Sequence, residues 1–159
     1  MARISYERAL VPLPPADAGA IDWLTNLRSD WPDADSSFLQ APIVPESSVR
    51  RAFAIRKELG AGSRSIIFVG DDDAASLALA HLEPHYRIWL VDVDERIIAA
   101  AQRHASAHGL NLTAVEADVR SGVPFHLLDR FDAAVIDPPR WHAAVMQFMT
   151  YALACLVED

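Results

Sequence analysis

The stretch Ser65–Asp73, with the sequence S-I-I-F-V-G-D-D-D, constrains the fold of this chain more than any other. Residues 66–69 form an apolar run with the length and branching of a strand buried in a parallel sheet. Gly70 permits a tight turn, and the segment Ala74–Leu82 that follows is typical of a helix. A strand, a glycine turn and a helix start form the nucleotide-binding corner of a doubly wound α/β domain.

Three consecutive carboxylates, Asp71, Asp72 and Asp73, distinguish this turn from a phosphate-binding loop. A pyrophosphate loop is uncharged, so that phosphate can approach the backbone amides and the helix N-terminus. Carboxylates repel phosphate, so the turn predicts a site for a positively charged ligand. Like charges packed together are also costly, which is expected where function compensates. The structural alternative is that Asp73 caps the helix and that the other two are solvated.

The sequence after this turn alternates between strand and helix patterns. Strands separated by helices predict a parallel sheet with right-handed crossovers. We expect residues 1–43 to form an N-terminal extension with a short helix, and residues 44–159 to form the α/β domain. The predicted strands are 65–69, 87–93, 112–116 and 131–136, and the predicted helices are 16–29, 45–59, 74–82, 95–108 and 141–157.

Three further acids, Asp92, Asp118 and Asp137, stand at or just after the ends of predicted strands. The carboxyl ends of parallel strands meet at the edge where open α/β sheets bind ligands, so we expect these side chains near the acidic turn. Asp92 lies about twenty residues beyond the glycine turn, where an acid accepts hydrogen bonds from ribose hydroxyls. Asp118 can accept a hydrogen bond from an exocyclic adenine amine, and we place its neighbour Val119 in the same nucleoside site.

Asp137 stands in I-D-P-P, where two prolines fix the backbone beyond it. An acid held there can orient an amine nucleophile and take its proton. We therefore predict Asp137, Asp71 and Asp72 as the catalytic residues. Structural alternatives remain for the strand-end acids, since Asp92 or Asp94 could cap the next helix and Asp118 could stabilise a turn. Asp137 could equally be satisfied by a neighbouring helix.

Composition narrows the classes of partner. The net charge of −8 argues against nucleic acid as the main partner, because phosphate contacts need Lys and Arg. The single cysteine, Cys155, excludes an internal disulfide and favours a reducing compartment. Residues 1–15 lack the apolar run of a signal peptide, so we expect a cytoplasmic protein. His104 and His108 could share a metal, but no third ligand stands at suitable spacing, so we expect no metal.

Several segments resemble the branched-chain polyamine synthases, also called N4-bis(aminopropyl)spermidine synthases. The resemblance covers about residues 38–150. It implies a Rossmann-like fold of the class I methyltransferase type. The segments that carry it are Gly70–Asp73, Val91–Arg96, Asp118–Arg120 and Phe131–Pro139, together with Gln40 and Pro45–Arg51 upstream.

The resemblance implies transfer of aminopropyl groups from decarboxylated S-adenosylmethionine to an internal nitrogen of a polyamine. It places the turn Gly70–Asp73 against the propylamine chain of the donor and the acceptor amine. Asp92 would bind the ribose, Asp118 the adenine, and Asp137 the attacking nitrogen. The reaction would be a direct displacement with 5′-methylthioadenosine as leaving group, which needs alignment and a deprotonated amine more than a covalent intermediate.

The chain also departs from the family. Arg140, Trp141 and His142 follow D-P-P, where the family usually has a short Glu-Thr-like or aromatic segment. The N-terminal part is short for the winged-helix-like domain of archaeal members. A complete fold of this type has more strands than the four predicted. We therefore expect a sheet that is truncated on its C-terminal side, a sheet that is completed by a second copy or a partner chain, or the loss of the acceptor site.

Two other functions remain open at the level of sequence. One is an S-adenosylmethionine-dependent methyltransferase, because D-P-P resembles the Asp/Asn-Pro-Pro-aromatic motif of amino-methyltransferases. In that motif an aromatic residue follows the prolines, whereas Arg140 stands here. The other is a weakly active or inactive nucleoside-binding module that is completed by a partner chain.

Overall fold

The computed structural model describes residues 18–158. Its centre is a parallel sheet of four strands in the order β3-β2-β1-β4. The elements are α1 (Ala18–Leu27), α2 (Pro45–Leu59), β1 (Ser65–Val69), α3 (Ala75–Leu82), β2 (Arg87–Asp92), α4 (Glu95–His108), β3 (Leu112–Glu116), β4 (Ala133–Ile136) and α5 (His142–Cys155).

The strand order creates a reversal point between β1 and β4. The chain runs outward from β1 through β2 to β3, and then returns to pair β4 with the opposite side of β1. Val69 at the end of β1 is therefore the register partner of Ile136 at the end of β4. In open α/β sheets the ligand crevice lies at this reversal, outside the carboxyl ends of the strands.

Strand β1 is buried along its whole length, because helices cover both faces of the sheet. Its alternate residues Ile66 and Phe68 face a core formed with α1, α2, α3 and α4. Ile67 and Val69 face a second core formed with α5 and the segment 117–131. This three-layer arrangement, together with the parallel sheet, confirms the predicted Rossmann-like α/β class.

Differences from the predicted elements are confined to their ends. Strand β4 begins at Ala133 rather than 131, since Phe131 instead forms an isolated parallel bridge with Leu156. That bridge also ends α5 at Cys155, two residues before the predicted end. The first helix covers Ala18–Leu27 and continues into a 3-10 turn at Arg28–Asp30. Residues 1–17, which include the start of the predicted helix 16–29, lie outside the described residues. No described helix has both the length and the apolar character that a membrane span requires.

Candidate active site

A cavity of about 850 Å³ opens at the carboxyl edge of the sheet, beside the ends of β1 and β4. Its volume is in the range of pockets that hold small molecules and cofactors. The sheet topology thus brings residues that are far apart in sequence to one site. The lining includes every residue predicted for the site, namely Gly70, Asp71, Asp72, Asp92, Asp118, Val119 and Asp137.

Gly70 sets the spacing between the two strand ends. Its φ of +78° lies in the left-handed region that favours glycine. A Cβ atom at this position would stand 3.0 Å from the carbonyl oxygen of Asp137 and 3.1 Å from Cε1 of Phe148. The absence of a side chain therefore allows the turn after β1 to lie directly against the end of β4.

Asp71 and Asp73 bind the start of α3. Both side chains are 1% exposed. The Asp71 carboxylate accepts hydrogen bonds from the backbone N–H groups of Ala75 and Ser76, at 2.9 Å each, and Asp73 accepts one from Ala75 at 3.2 Å. They thereby satisfy helix N–H groups that have no partner within the helix. Asp73 was predicted as the N-cap residue, but Ala74, in a left-handed conformation, occupies that position, and Asp73 binds the first helix N–H from one residue earlier. Asp71 makes more hydrogen bonds to the helix start than Asp73 does.

Burial also changes the acidity of both groups. Burial, together with the neighbouring Asp73 carboxylate, raises the pKa of Asp71 well above its ordinary value. Burial likewise raises the pKa of Asp73, although the guanidinium of Arg51 opposes the shift. Two buried carboxyl groups this close to each other resist simultaneous ionisation. Because the side chain of Asp71 is buried, the alternative that it is merely solvated does not hold.

Asp72 is oriented differently and projects toward the segment before α2. Its Oδ2 accepts a hydrogen bond of 2.7 Å from the backbone N–H of Ala41, and its carbonyl oxygen accepts one of 2.9 Å from Nε1 of Trp31. Burial, followed by the charges of Asp137, Asp73 and Asp92, raises the pKa of Asp72 to about 6. A carboxylate with that pKa can accept a proton near neutral pH.

Asp92 and Asp94 have separate tasks at the end of β2. The two oxygens of Asp92 accept hydrogen bonds from the backbone N–H groups of Asp94, at 2.9 Å, and Asp71, at 3.2 Å. Burial raises the pKa of Asp92. Asp94 caps α4 through the backbone N–H of Arg96, as predicted, and also accepts a hydrogen bond of 2.8 Å from Nε2 of Gln40. Asp92 therefore ties the acidic turn to β2 and still faces the cavity.

Asp118 lines the cavity and forms a tight pair with Arg120. Its carboxylate caps a short 3-10 turn, Val119–Ser121, and accepts hydrogen bonds from the guanidinium at 2.6 to 2.9 Å. These hydrogen bonds lower the pKa of Asp118. Arg120 and Asp118 thus form an ion pair at this turn. The carboxylate is thus ionised and has acceptor capacity on its remaining lone pairs.

Arg51 is a charged lining residue that sequence reasoning did not place in the site. One guanidinium nitrogen of Arg51 lies 3.1 Å from Oδ2 of Asp137 and 3.3 Å from Oδ2 of Asp73. A signal was present in the sequence, because Arg51 follows Ser48 by three residues and precedes Ala52. Both of these neighbours are buried, so Arg51 borders the inward side of the helix.

Asp72, Asp73 and Asp137 form the most concentrated negative charge in the cavity. One carboxylate oxygen from each lies within 4.8 Å of the others. Such a cluster could hold a small cation, and in this structure the cation between two of its members is Arg51. Overall, six aspartates and three arginines line the cavity. Its electrostatic character is therefore negative, which suits a cationic ligand.

The weaker candidates divide between cavity and core. Trp141 lines the cavity and is 49% exposed, and Arg140 lines it as well. Cys155, the last residue of α5, is buried in the core. His104 and His108 pack near the rings of Trp31 and Trp23, respectively, and their ring centroids lie 6.3 Å apart.

Comparison with known proteins decides the family. Residues 21–159 match the family described as the branched-chain polyamine synthase A C-terminal domain. The chain belongs to this family. The match includes the acidic turn, all three strand-end acids and Arg51, so the cavity lies entirely within the family domain.

The curated relatives that this chain matches are longer than the chain. An uncharacterised protein of Methanocaldococcus jannaschii is 30% identical over 128 residues, which cover 80% of this chain and 33% of that protein. The N(4)-bis(aminopropyl)spermidine synthase of Thermococcus kodakarensis is 28% identical over 137 residues, which cover 86% of this chain and 39% of that enzyme. The chain thus spans a third to two fifths of the length of these relatives.

A solved structure of the family shows the same architecture. The branched-chain polyamine synthase from Thermus thermophilus, in complex with N4-aminopropylspermidine and 5′-methylthioadenosine, superposes with a TM-score of 0.77 at 28% identity. The superposition covers 86% of this chain and 40% of that chain. An RNA methyltransferase of Pyrococcus horikoshii, described as putative, superposes with a TM-score of 0.65 at 14% identity, which establishes a shared fold alone.

Proposed function

We propose that this chain is the donor-binding part of an aminopropyltransferase that uses decarboxylated S-adenosylmethionine and a polyamine acceptor. The observation that carries the proposal is the cluster of Asp72, Asp73 and Asp137 at the reversal point of the sheet. Both proposed substrates are cations, and the Thermus thermophilus relative was solved with a polyamine and 5′-methylthioadenosine. A site that holds two cationic molecules together needs concentrated negative charge.

The lining residues divide into a nucleoside part and an amine part. In the nucleoside part, Asp92 binds the ribose hydroxyls, and Asp118 with Val119 binds the adenine. Gly70 lets the nucleoside approach the end of β1 closely, and Asp71 acts as a positioning residue, because its carboxylate holds the start of α3. We therefore propose that Asp71 supports the site rather than touching the reacting atoms.

Asp72 and Asp137 form the amine part. Among the acids of the cavity, these two each have a carboxylate oxygen, Oδ1, that accepts no hydrogen bond from residues 18–158. An acceptor nitrogen between them would be oriented by Asp137 and would give its proton to Asp72, whose pKa is about 6. The prolines after Asp137 keep its carboxylate in place.

The reaction we propose is a single displacement. Asp72 takes a proton from the acceptor ammonium, and the lone pair that this frees attacks the aminopropyl carbon next to the sulfonium. The carbon–sulfur bond breaks, and its electron pair converts the sulfonium into the thioether of 5′-methylthioadenosine. The product nitrogen now carries the positive charge that the sulfur has lost. The protein contributes alignment and a proton acceptor, and no covalent enzyme intermediate is required.

The negative cavity also selects the donor. Ordinary S-adenosylmethionine carries a carboxylate that its decarboxylated form lacks. Asp72 and Asp73 would repel that carboxylate, so we propose that the decarboxylated donor binds in preference. This preference separates the proposal from a methyltransferase, which has to accommodate the carboxylate.

The partner and location of the chain are further proposals. Within the described residues, the outer side of β4 pairs only through the bridge between Phe131 and Leu156. We propose that a strand from a second copy or another chain extends the sheet there, which mass spectrometry under native conditions tests. A buried single cysteine suits a reducing compartment, and we propose the cytoplasm.

Calorimetry tests the proposed function with 5′-methylthioadenosine, decarboxylated donor and ordinary donor. We expect binding of the first two and weaker binding of the third. Asp137→Asn should abolish aminopropyl transfer and leave affinity for 5′-methylthioadenosine nearly unchanged, while Asp22→Asn, at an exposed position on α1, should change neither. Absence of heat with all three ligands would contradict the nucleoside site, and equal loss of transfer and affinity would show that Asp137 is structural.

A further inference from the structure

Arg51 makes contacts that resemble those of a bound ammonium group. A single nitrogen of its guanidinium lies within 3.3 Å of carboxylate oxygens from two different strand ends, Asp73 after β1 and Asp137 after β4. The side chain is 31% exposed, so it reaches the site from the rim rather than from the core. A protonated amine has three donors on one nitrogen and suits the same two acceptors.

The two carboxylates are held more firmly than the guanidinium. Asp73 is 1% exposed and accepts a hydrogen bond from the backbone N–H of Ala75. Asp137 donates its own backbone N–H to Val69 at 3.0 Å and is followed by two prolines. Arg51, in contrast, projects on a long side chain from α2, and within residues 18–158 its guanidinium forms ion pairs with these two carboxylates. Any exchange at this position would therefore move Arg51 and leave the acids in place.

We propose that the guanidinium of Arg51 occupies the position of a substrate ammonium group, and that a polyamine displaces it from Asp73 and Asp137. The inference rests on the proposed function in taking the ligand to be a polyamine. A substrate nitrogen between the same carboxylates would lie beside the guanidinium, and two positive charges at that separation repel each other. The site thus exchanges one cation for another. It favours ligands with several positive charges, because their additional amines can contact Asp72 and the other acids of the cavity.

The test measures spermidine binding by calorimetry in the presence of saturating 5′-methylthioadenosine. Arg51→Met removes the competing cation, so we expect spermidine to bind at least fivefold more tightly. Arg51→Lys retains a competing cation and should bind within twofold of wild type. Lys57→Met removes one charge from an exposed position on the same helix, and it controls for the change in net charge.

A second measurement covers the case in which Arg51→Met does not fold. In the wild-type protein, the NMR signal of the Arg51 side-chain Nε–Hε, assigned by its loss in Arg51→Lys, should shift when spermidine is added. An unchanged signal, or spermidine affinity in Arg51→Met that is equal to or weaker than wild type, would overturn the inference while leaving the proposed function intact. If 5′-methylthioadenosine binds but spermidine binds to neither wild type nor variant, the proposed acceptor class is wrong and the inference falls with it.

Discussion

The acids that line the cavity, and Asp94 beside it, differ in what they contribute to the free energy of unfolding. Asp94 and Asp118 have lowered pKa values because arginine and amide donors bind their charged forms. Asp71, Asp72 and Asp92 have raised pKa values, chiefly because of burial. A raised carboxyl pKa means that the folded chain binds more protons than the unfolded chain. The stability contributed by these groups is therefore present below the ordinary pKa and is lost as pH rises through the folded value.

Asp72→Asn should stabilise the fold and abolish transfer. The ordinary pKa of Asp72 is 3.8 and its pKa in the folded chain is about 6. The stabilisation gained by removing the charge therefore increases between these two pH values and is complete above the higher one. We expect a gain of about 1–2 kcal/mol at pH 8, less than the full shift implies because the side chain is partly exposed. Thermal unfolding at pH 4 and pH 8 measures it. If Asp72→Asn melted at a lower temperature than wild type at pH 8, the Asp72 charge would not destabilise the fold.

The residues of the site were largely predictable because their signal is local. Asp71, Asp92 and Asp137 each stand at or next to the end of an apolar strand pattern, and parallel strands bring such ends to one edge. Arg51 was not predictable in the same way, because it lies among several basic residues on a helix whose inward side carries a serine and small apolar residues. Its position depends on how α2 packs against the sheet, which no short sequence pattern records.

Among the elements, the segment before α2 supports the acidic turn directly. Trp31 donates its indole N–H to the Asp72 carbonyl, Ala41 donates its backbone N–H to the Asp72 carboxylate, and Gln40 donates its side-chain amide to Asp94. Leu24 and Leu27 of α1 belong to the same core as β1 and β2. This segment therefore contributes both to the core and to the orientation of an acid that we propose to be catalytic.

Removal of residues 1–43 should destabilise the whole domain and weaken spermidine binding. Loss of one buried leucine side chain typically costs 2–5 kcal/mol, and this truncation removes Leu24, Leu27 and Trp31. We expect the melting temperature to fall by about 10 °C or more. A chain that begins at residue 18 retains all these contacts and serves as the matched control. Equal melting temperatures for the two truncations would show that the segment is dispensable.

Element boundaries were predicted less well than element types. Hydrophobic patterns identified every strand of the sheet, but the start of β4 and the end of α5 were wrong by about two residues because Phe131 and Leu156 pair with each other. That pairing joins two segments that are distant in the sequence. The division into residues 1–43 and 44–159 stays a prediction.

The molecule as a whole carries a net charge of −8, and six aspartates line one cavity. Long-range attraction of a polycation should therefore add to the direct contacts. We expect the affinity for spermidine to fall at least tenfold between about 50 mM and 500 mM NaCl. Salt screens the attraction between exposed charges that lie farther apart than the Debye length, which is about 10 Å at 0.1 M and shorter at higher concentration. The affinity for uncharged 5′-methylthioadenosine should change less than twofold. Calorimetry at both salt concentrations measures the two responses, and parallel losses would argue against electrostatic recognition.

The strand order determines when the cavity forms during folding. Val69 and Ile136 are register partners, yet β2, α4 and β3 intervene between them along the chain. Contacts of such high sequence separation form only after a large loop has closed, which makes them slow relative to local structure. A nucleoside that contacts both strand ends can thus bind only chains in which β1 and β4 have already paired. Protection by such a ligand against heat or proteases would report on that late event rather than on any local unit.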